Sequence, residues 1–552
     1  MKFKELQLHR PLWTLASLAI ALVIMVPVLT IAAYWFLPSG EIWQHLVDTV
    51  LADYISNSLL LMTGVVVIAG SIGTITAYIT ATFDFPYKRT FNVLLLLPLA
   101  YPGYIISFTY AGILDYAGPV QTTIRTTFSF SSKMDYWFPD IMSLWGAIVV
   151  LSLVLYPYVF IITRPVFLNN SILLQDVART FGCSRIKTFF TISLPLARPA
   201  IVAGSSLALM EALNNYGTVK YYGVSTFTTG IYRAWFGLED MPSAARLATL
   251  LMLFVFGLIL IERWQRRNIV VTNTENVQGT YQPEKLKGWY RLIAFSICAA
   301  PVMLGFIIPT LQLCYWSRNH LEKIISPEFI ELAKNSITMA LCTGVIITIL
   351  ALILRFSSRI GQGKLLIICN RIATMGYAIP GSVVSVGILI PLANLDNYID
   401  GLMLESFNIS TGLLLSGTLF ALGYGYTIRF LAVSYNSIDA GYTNLPLELD
   451  NSASMLGAKP LRILGSIHLP LIKRSMAAAL LLGFIDIMKE LPATLILRPF
   501  NFDTLATRTY ELATEEMLPE SSIYALAIVL LGLLPILLLT KLSSTANKEN
   551  NP

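Results

Sequence analysis

The sequence predicts an all-α polytopic membrane protein with about 12 transmembrane helices in two homologous six-helix halves. Three observations predict it: scarce charge, long apolar runs, and a repeat that returns polar, glycine and proline positions in register. Hydrophobic residues make up 55% of the 552 and charged residues only 13%, and the mean hydropathy is +0.66. A soluble domain carries about 25% charged residues. This chain has too little polar surface to coat a globule in water.

The apolar residues fall into about twelve runs, near 12–37, 58–83, 91–112, 141–165, 199–219, 243–262, 292–316, 336–354, 366–393, 411–436, 476–497 and 522–541. A bilayer core of ~30 Å is crossed by ~20 helical residues. Backbone groups in lipid must bond within their own segment, which favours helices, and the alternating pattern of an outer-membrane barrel does not occur. Lys2, Lys4 and Arg10 precede the first run as they would in a secretory signal. The run is about twice as long as a signal's apolar region and lacks a small-residue cleavage site, so it reads as a retained helix.

Lysine and arginine set the expected orientation. With a cytoplasmic N-terminus, roughly 27 of the 38 lie on the cytoplasmic side, as the positive-inside bias requires. Pro38–Asn57 and Asn394–Phe407 contain none, whereas Arg164–Arg198, Arg263–Arg291 and Arg429–Lys473 are rich in them. Both termini are therefore expected in the cytoplasm, beneath an inner membrane. The net charge of +6 sets topology and does not point to nucleic acid. Cys183, Cys298, Cys314, Cys342 and Cys369 show no CxxC spacing and mostly lie in apolar runs, so they read as small hydrophobes, without disulfide or metal.

The repeat divides the chain. Asn57-Ser58 recurs as Asn335-Ser336, and Pro102-Gly103 as Pro380-Gly381, both at an offset of 278. Gly182, Ile192, Leu194 and Pro195 recur as Gly457, Ile467, Leu469 and Pro470 at 275, and the same offset carries Phe227, Thr229 and Arg233 onto Phe502, Thr504 and Arg508. The expected units are a first half at 1–270, a polar cytoplasmic linker at 271–289 and a second half at 290–552. Each half has six spans, so the two run in parallel, and two like halves around a pseudo-two-fold axis offer a central path.

The segments 171–198 and 446–473 lie between the fourth and fifth spans of each half. Each reads as a short helix, a tight glycine turn, a second short helix, and a proline that opens the next span. Gly182 and Gly457 occupy left-handed helix ends, Ser184 suits an N-cap, Pro460 suits a first helical position, and Ile186, Phe189 and Phe190 form an apolar face. The spacing resembles the EAA loop of binding-protein-dependent ABC importers: Glu-Ala-Ala, three residues, Gly, nine residues, Ile, one residue, Leu-Pro. In the first copy Asp176, Ala178, Gly182, Ile192, Leu194 and Pro195 match or replace the pattern's positions. In the second these are Asn451, Ala453, Gly457, Ile467, Leu469 and Pro470. The resemblance implies that each loop docks an ATP-hydrolysing subunit, two copies in all. No GxxxxGK[ST] phosphate loop occurs in this chain. It is expected to be a transport subunit, neither an enzyme nor the holder of a cofactor, with ATP used by its partners.

Charged and amide residues inside spans usually face a bundle interior. Glu211, Asn214 and Asn215 correspond to Asp486, Lys489 and Glu490, and the i, i+3 and i, i+4 spacings put each set on one helical face. They are the candidate translocation pathway, and neutralisation of Asp486 by Lys489 is the structural alternative. Leu209–Val219, Thr226–Gly237 and Lys489–Thr507 resemble the fused permeases of ferric-iron importers, which implies a periplasmic ferric-binding protein as partner. Related fused permeases carry thiamine or aminoalkylphosphonates. A major-facilitator transporter would also have twelve spans in two halves, but Asp84–Thr90 lacks its signature. The residues do not themselves demand iron, since no histidine, cysteine or carboxylate cluster offers a closed shell. Tyr216, Tyr221, Tyr222 and Tyr232 read first as an interfacial aromatic belt, with ferric ligands as the alternative.

Overall fold

The computed structural model describes residues 2–38, 40–180, 184–266, 284–361, 363–443 and 445–549, with side chains at 2–11, 169–180, 185, 259, 261–266 and 539–549 left outside the description. Gly182, the side chains of Asp176 and Ala178, and most of the expected linker therefore lie outside it.

Twelve principal helices order the chain: α1 (Lys2–Tyr34), α2 (Leu51–Thr82), α3 (Gly103–Leu114), α4 (Leu144–Thr180), α5 (Leu194–Asn214) and α6 (Met241–Arg266), then α7 (Trp289–Ser317), α8 (Pro327–Gly361), α9 (Gly381–Phe407), α10 (Leu419–Thr443), α11 (Leu469–Met488) and α12 (Leu518–Glu549). The described residues contain nine helices long and apolar enough to cross a membrane, or ten if a bent pair counts as one. The bent pair is Lys88–Ala100 with Gly103–Phe128, which turn by 91°. α10 and α11 occupy the remaining two expected positions; they carry Arg429 and Asp439, and Lys473, Arg474 and Asp486, and are correspondingly more polar.

Several expected runs are interrupted, and the interruptions repeat. The run 91–112 breaks at Pro102, which is the N-cap of α3 and follows a 3₁₀ turn at Leu97–Ala100. The run 366–393 breaks at Pro380, the N-cap of α9, after a 3₁₀ turn at Met375–Ala378. A proline lacks the N–H and disfavours helix in the residue before it, so both breaks are written in the chain. The run 411–436 starts as helix only at Leu419, and α9 continues to Phe407 through the segment expected to be an outer loop.

Hydrogen bonds recur in register. Asn57 Nδ2 donates to Ser225 O at 2.9 Å, and Asn335 Nδ2 donates to Asp503 O at 3.2 Å. The Phe227 N–H donates to Ser58 Oγ at 3.2 Å and the Leu505 N–H to Ser336 Oγ at 2.8 Å. Thr226 with Thr229, and Thr504 with Thr507, form matching capping boxes. These pairs stand 278 apart, so the expected equivalence of Phe227, Thr229 and Arg233 with Phe502, Thr504 and Arg508 is corrected: the second half holds three extra residues between Glu490 and Thr504. Because Ser58 and Ser336 are buried, Ser336→Ala should strand the Leu505 N–H and cost about 1–3 kcal/mol. A thermal melt of the detergent-solubilised chain checks this, with Ser56→Ala, exposed on the equivalent helix of the first half, as the neutral control.

The two units exchange their first helices. Tyr424 Oη on α10 donates to Val23 O on α1, and Trp13 lies edge-on to Phe356 at 4.9 Å between centroids. In return, α7 packs on the first unit: Tyr101 Oη bonds Thr310 Oγ1 at 2.8 Å and Tyr110 Oη donates to Leu304 O at 2.6 Å. The only described strands, β1 (Phe83–Asp84) and β2 (Glu284–Lys285), pair in parallel and tie the end of the linker to α2. With lipid outside and no hydrophobic drive between helices, such polar ties and close packing hold a membrane bundle together.

Candidate functional site

α5 ends at Asn214 and a short helix, Tyr216–Tyr221, follows; α11 ends at Met488 and the short helix Pro492–Leu497 follows. The two broken helices bring all six expected pathway residues, Glu211, Asn214, Asn215, Asp486, Lys489 and Glu490, to one cavity between the halves. Its volume is about 60 Å³, room for a few waters only. Nothing larger passes between the halves at this level.

Roles within the ring differ from residue to residue. Asn214 Oδ1 accepts the Gly381 N–H at 2.7 Å and so bridges the halves. Asn215 Oδ1 accepts the Thr218 N–H at 3.1 Å, and Glu490 Oε1 accepts the Ala493 N–H at 3.0 Å. Both therefore cap the short helix after the break, at equivalent places. Lys489 Nζ lies 3.0 Å from Asp486 Oδ1, which realises the internal neutralisation foreseen as an alternative. Glu211 lies against Tyr377.

Arg429 on α10 completes the ring and was missed. Counted in the sequence as the first of a cytoplasmic basic stretch, it is 3% exposed and forms an ion pair with Glu490, itself 4% exposed. A signal existed: an arginine well inside an apolar run implies a buried carboxylate partner. With Arg429 included, the ring holds three carboxylates and two cations. Arg429 Nε and Tyr104 Oη also line or face it as buried donors with no hydrogen-bond partner among the described residues.

The paired glycines at the helix breaks explain how closely the ring is packed. A Cβ on Gly381 would lie 2.6 Å from an Arg429 guanidinium nitrogen and 2.7 Å from Glu490 Oε1. A Cβ on Gly103 would lie 1.9 Å from Asn215 Nδ2. Each glycine of the Pro-Gly repeat thus seats the capping residue of the fifth helix of its own half.

Three of the four tyrosines are not part of a lipid-facing belt, and Tyr221 is half-buried. Tyr216, Tyr222 and Tyr232 are buried; Tyr216 stacks on Tyr232 with centroids 3.7 Å apart. Tyr222 Oη donates to Ser107 O at 2.9 Å, and Tyr232 Oη donates to Pro492 O across the two halves. Among the described residues no group of three or more His, Cys, Asp or Glu is gathered as metal ligands.

The loops lie at the other ends of α5 and α11. In the second, the helix Leu447–Met455 stops at Gly457, whose φ of +83° is left-handed. The Ala458 N–H returns to Ala453 O and the Gly457 N–H to Ser454 O, both at 3.0 Å, the bonding of a Schellman end. Pro460 opens the next short helix. In the first copy, Ser184 Oγ accepts the Lys187 N–H at 3.3 Å, as an N-cap does. Both copies then widen into a π turn, Phe189–Ser193 and Leu464–His468, directly before Leu194-Pro195 and Leu469-Pro470. A proline ring crowds the carbonyl four residues back, and a widened turn relieves it. Ile192 and Ile467 are half-buried at matching places, and Ala453 is buried while Asn451 is exposed. Ile186 and Leu461, also equivalent, stand 73% and 68% exposed, beside Phe190, Met455 and Leu456. Ile186 and Phe190 belong to the stretch Ile186–Asn214, which is itself apolar enough to count as a span, whereas Met455, Leu456 and Leu461 stand on or beside the short helices of the second loop.

The second loop has an anchor that sequence reasoning missed. Asp450 takes Arg359 Nε at 2.6 Å and His468 Nε2 at 2.6 Å, while His468 Nδ1 meets Tyr442 Oη at 3.1 Å. Arg359 also donates to the carbonyls of Leu445 and Pro446, each at 2.9 Å. Among the described residues, the first loop meets aromatic packing, with Tyr78 against Phe167 at 5.4 Å and Phe189 at 4.6 Å.

Comparison with known proteins accords with this geometry. Residues 69–269 match the family described as binding-protein-dependent transport system inner membrane component. The Fe(3+)-transport system permease protein FbpB 2 of Haemophilus influenzae is 25% identical over 498 residues, 89% of this chain and 90% of the relative. The putative ferric transport system permease protein FbpB 1 of the same organism is 22% identical, over 85% of this chain and 74% of the relative. The molybdate/tungstate permease WtpB of Thermococcus kodakarensis is 28% identical over 218 residues, which are 79% of it and 39% of this chain. The chain is an all-α polytopic membrane protein, and its residues 69–269 match the inner membrane component family of binding-protein-dependent transport systems.

Proposed function

We propose that this chain forms the path by which ferric iron, delivered by a periplasmic binding protein, crosses the inner membrane. Two separate ATPase subunits drive the step, one docked on each of the loops 171–198 and 446–473. Both termini then lie in the cytoplasm, and the short helices Tyr216–Tyr221 and Pro492–Leu497 lie toward the outer face. The functional units are a first half at 1–270, a linker at 271–289 and a second half at 290–552. One observation carries the reading: the broken fifth helix of each half delivers its polar residues to a single closed ring at their junction, while its other end meets a loop with exposed apolar side chains. Movement of a docked subunit therefore pulls on the same helix that closes the path.

The cargo rests on the relatives that match nearly the whole chain, which are named for ferric transport; the half-length relative is named for molybdate and tungstate. In a strain lacking the gene, expression of this chain with its ATPase and binding protein should restore uptake of radiolabelled ferric iron but not of thiamine or an aminoalkylphosphonate. Uptake that persists without the ATPase and collapses with the proton gradient would instead make the chain a secondary transporter.

A further inference from the structure

A second cavity lies beyond the ring on the side away from the loops, with a volume of about 460 Å³. Tyr216 lines both cavities, so the Tyr216–Tyr232 stack is the wall between them. The Tyr232 bond to Pro492 O fastens that wall to the second half. The outer cavity is lined by Tyr54, Tyr216, Tyr232, Thr229, Lys220 and Arg233 among others, and by no aspartate or glutamate. Neither Lys220 nor Arg233 has an ion-pair partner among the described residues.

The second half treats its cations differently. Arg498 pairs with Asp503 and with Glu511 at 2.8 Å, Arg508 pairs with Glu328 at 2.9 Å, and Lys323 pairs with Glu520. Glu511 stands at the repeat position of Arg233, 278 residues on. Where the second half neutralises its surface, the first leaves two positive charges around a concave space, an arrangement that concentrates anions and repels free cations.

We propose that this outer cavity is a receiving site for cargo in net-negative form, an oxyanion or a ferric ion still carrying its anionic ligands. The site is gated from the charged ring by Tyr216 and Tyr232. The inference rests on the transport reading above and adds the charge class of what is received. A bare trivalent cation meets two like charges here. An anion meets two cations and phenol and hydroxyl groups, and a ferric ion would shed its anionic ligands before entering a ring that holds three carboxylates.

The test uses the permease–ATPase complex in lipid nanodiscs, with radiolabelled ferric citrate, inorganic phosphate and molybdate as anionic probes and terbium(III) as the bare hard cation. At least one anionic probe should bind saturably, and Lys220→Gln with Arg233→Gln should weaken it at least tenfold. Lys220→Arg should retain binding. Terbium luminescence sensitised by tyrosine should be absent from the unaltered complex. Unchanged anion binding in the double variant, or terbium bound as tightly as ferric citrate, overturns the proposal. Loss of binding-protein docking with anion binding intact also overturns it, since the cations would then serve the partner. If phosphate or molybdate binds and is lost in the double variant while ferric citrate never binds, the anion site stands and the iron cargo falls. Normal ferric uptake with unaltered binding in that variant leaves the cargo reading intact and removes the site. Both residues are exposed, and a melting curve equal to that of the parent shows that the variant is folded.

Discussion

Glu490→Ala is expected to abolish uptake and to destabilise the chain by about 3–5 kcal/mol, because it leaves Arg429 buried without its counter-charge. Arg429→Ala should do the same from the other side. Both partners are 4% exposed in their side chains, so water does not rescue the survivor. The double replacement Arg429→Met with Glu490→Leu should recover most of the lost stability, since a buried pair exchanged for apolar groups of similar size is often neutral or better. It should not recover uptake if the ring handles charge in transit. Thermal unfolding in detergent and uptake of labelled iron separate the two readouts. A double variant that transports normally would reduce the pair to a structural tie. Gly381→Ala should mimic the single variants in part, because its Cβ would wedge between the two charged groups.

The ring was partly legible in the sequence for a physical reason. Glu211, Asn214 and Asn215 match Asp486, Lys489 and Glu490 through the repeat, and polar groups within apolar runs are conspicuous. Arg429 was not legible by the same route, because it lies 61 residues before Glu490 in the chain and meets it only when α10 packs on α11. Counting it as a loop cation followed the positive-inside rule, which weighs every arginine alike and overlooks that this one lies within the run 411–436. The capping roles of Asn215 and Glu490 also required the fold: Pro492 signals a break just after Glu490, but no proline marks the equivalent break at Asn215.

The repeat offsets mark a second limit. Both 275 and 278 are visible in the sequence, but 275 was carried on past Glu490 and the return to 278 before Thr504 was not seen. Thr226 and Thr504 take the equivalent N-cap positions, and the extra residues fall just before Thr504. A degenerate match of Phe227 to Phe502 outweighed the capping pattern Thr-x-x-Thr, which has a mechanism behind it. Similarly, Pro102 and Pro380 were used as repeat markers although each also breaks a span.

Arg359→Ala is expected to reduce uptake at least tenfold while leaving the chain in the membrane, because it frees the second loop from α8. Its side chain is 7% exposed and it serves Asp450 and two backbone carbonyls at once. Each charged hydrogen bond lost costs about 1.5–3 kcal/mol. Arg359→Lys should restore little, since an ammonium cannot span three acceptors as a planar guanidinium does. Asp450→Asn, which keeps shape and removes charge, should fall between the parent and Arg359→Ala. The readout that distinguishes coupling from folding is ATP hydrolysis by the docked subunits: it should continue while uptake falls. If hydrolysis and uptake fall together with the melting temperature, the network only holds the fold. The first loop offers an internal comparison, because Tyr78 with Phe167 and Phe189 stands where Phe356, Tyr442 and the second loop meet. Tyr78→Ala removes packing without stranding a charge, so its effect on uptake should be the smaller of the two. A subunit docked at the second loop as proposed would therefore push on a helix end fixed by ion pairs, and at the first on one held, among the described residues, by aromatic contact. Force applied at the second loop reaches α11, and with it Lys489 and Glu490, through the stiffer connection.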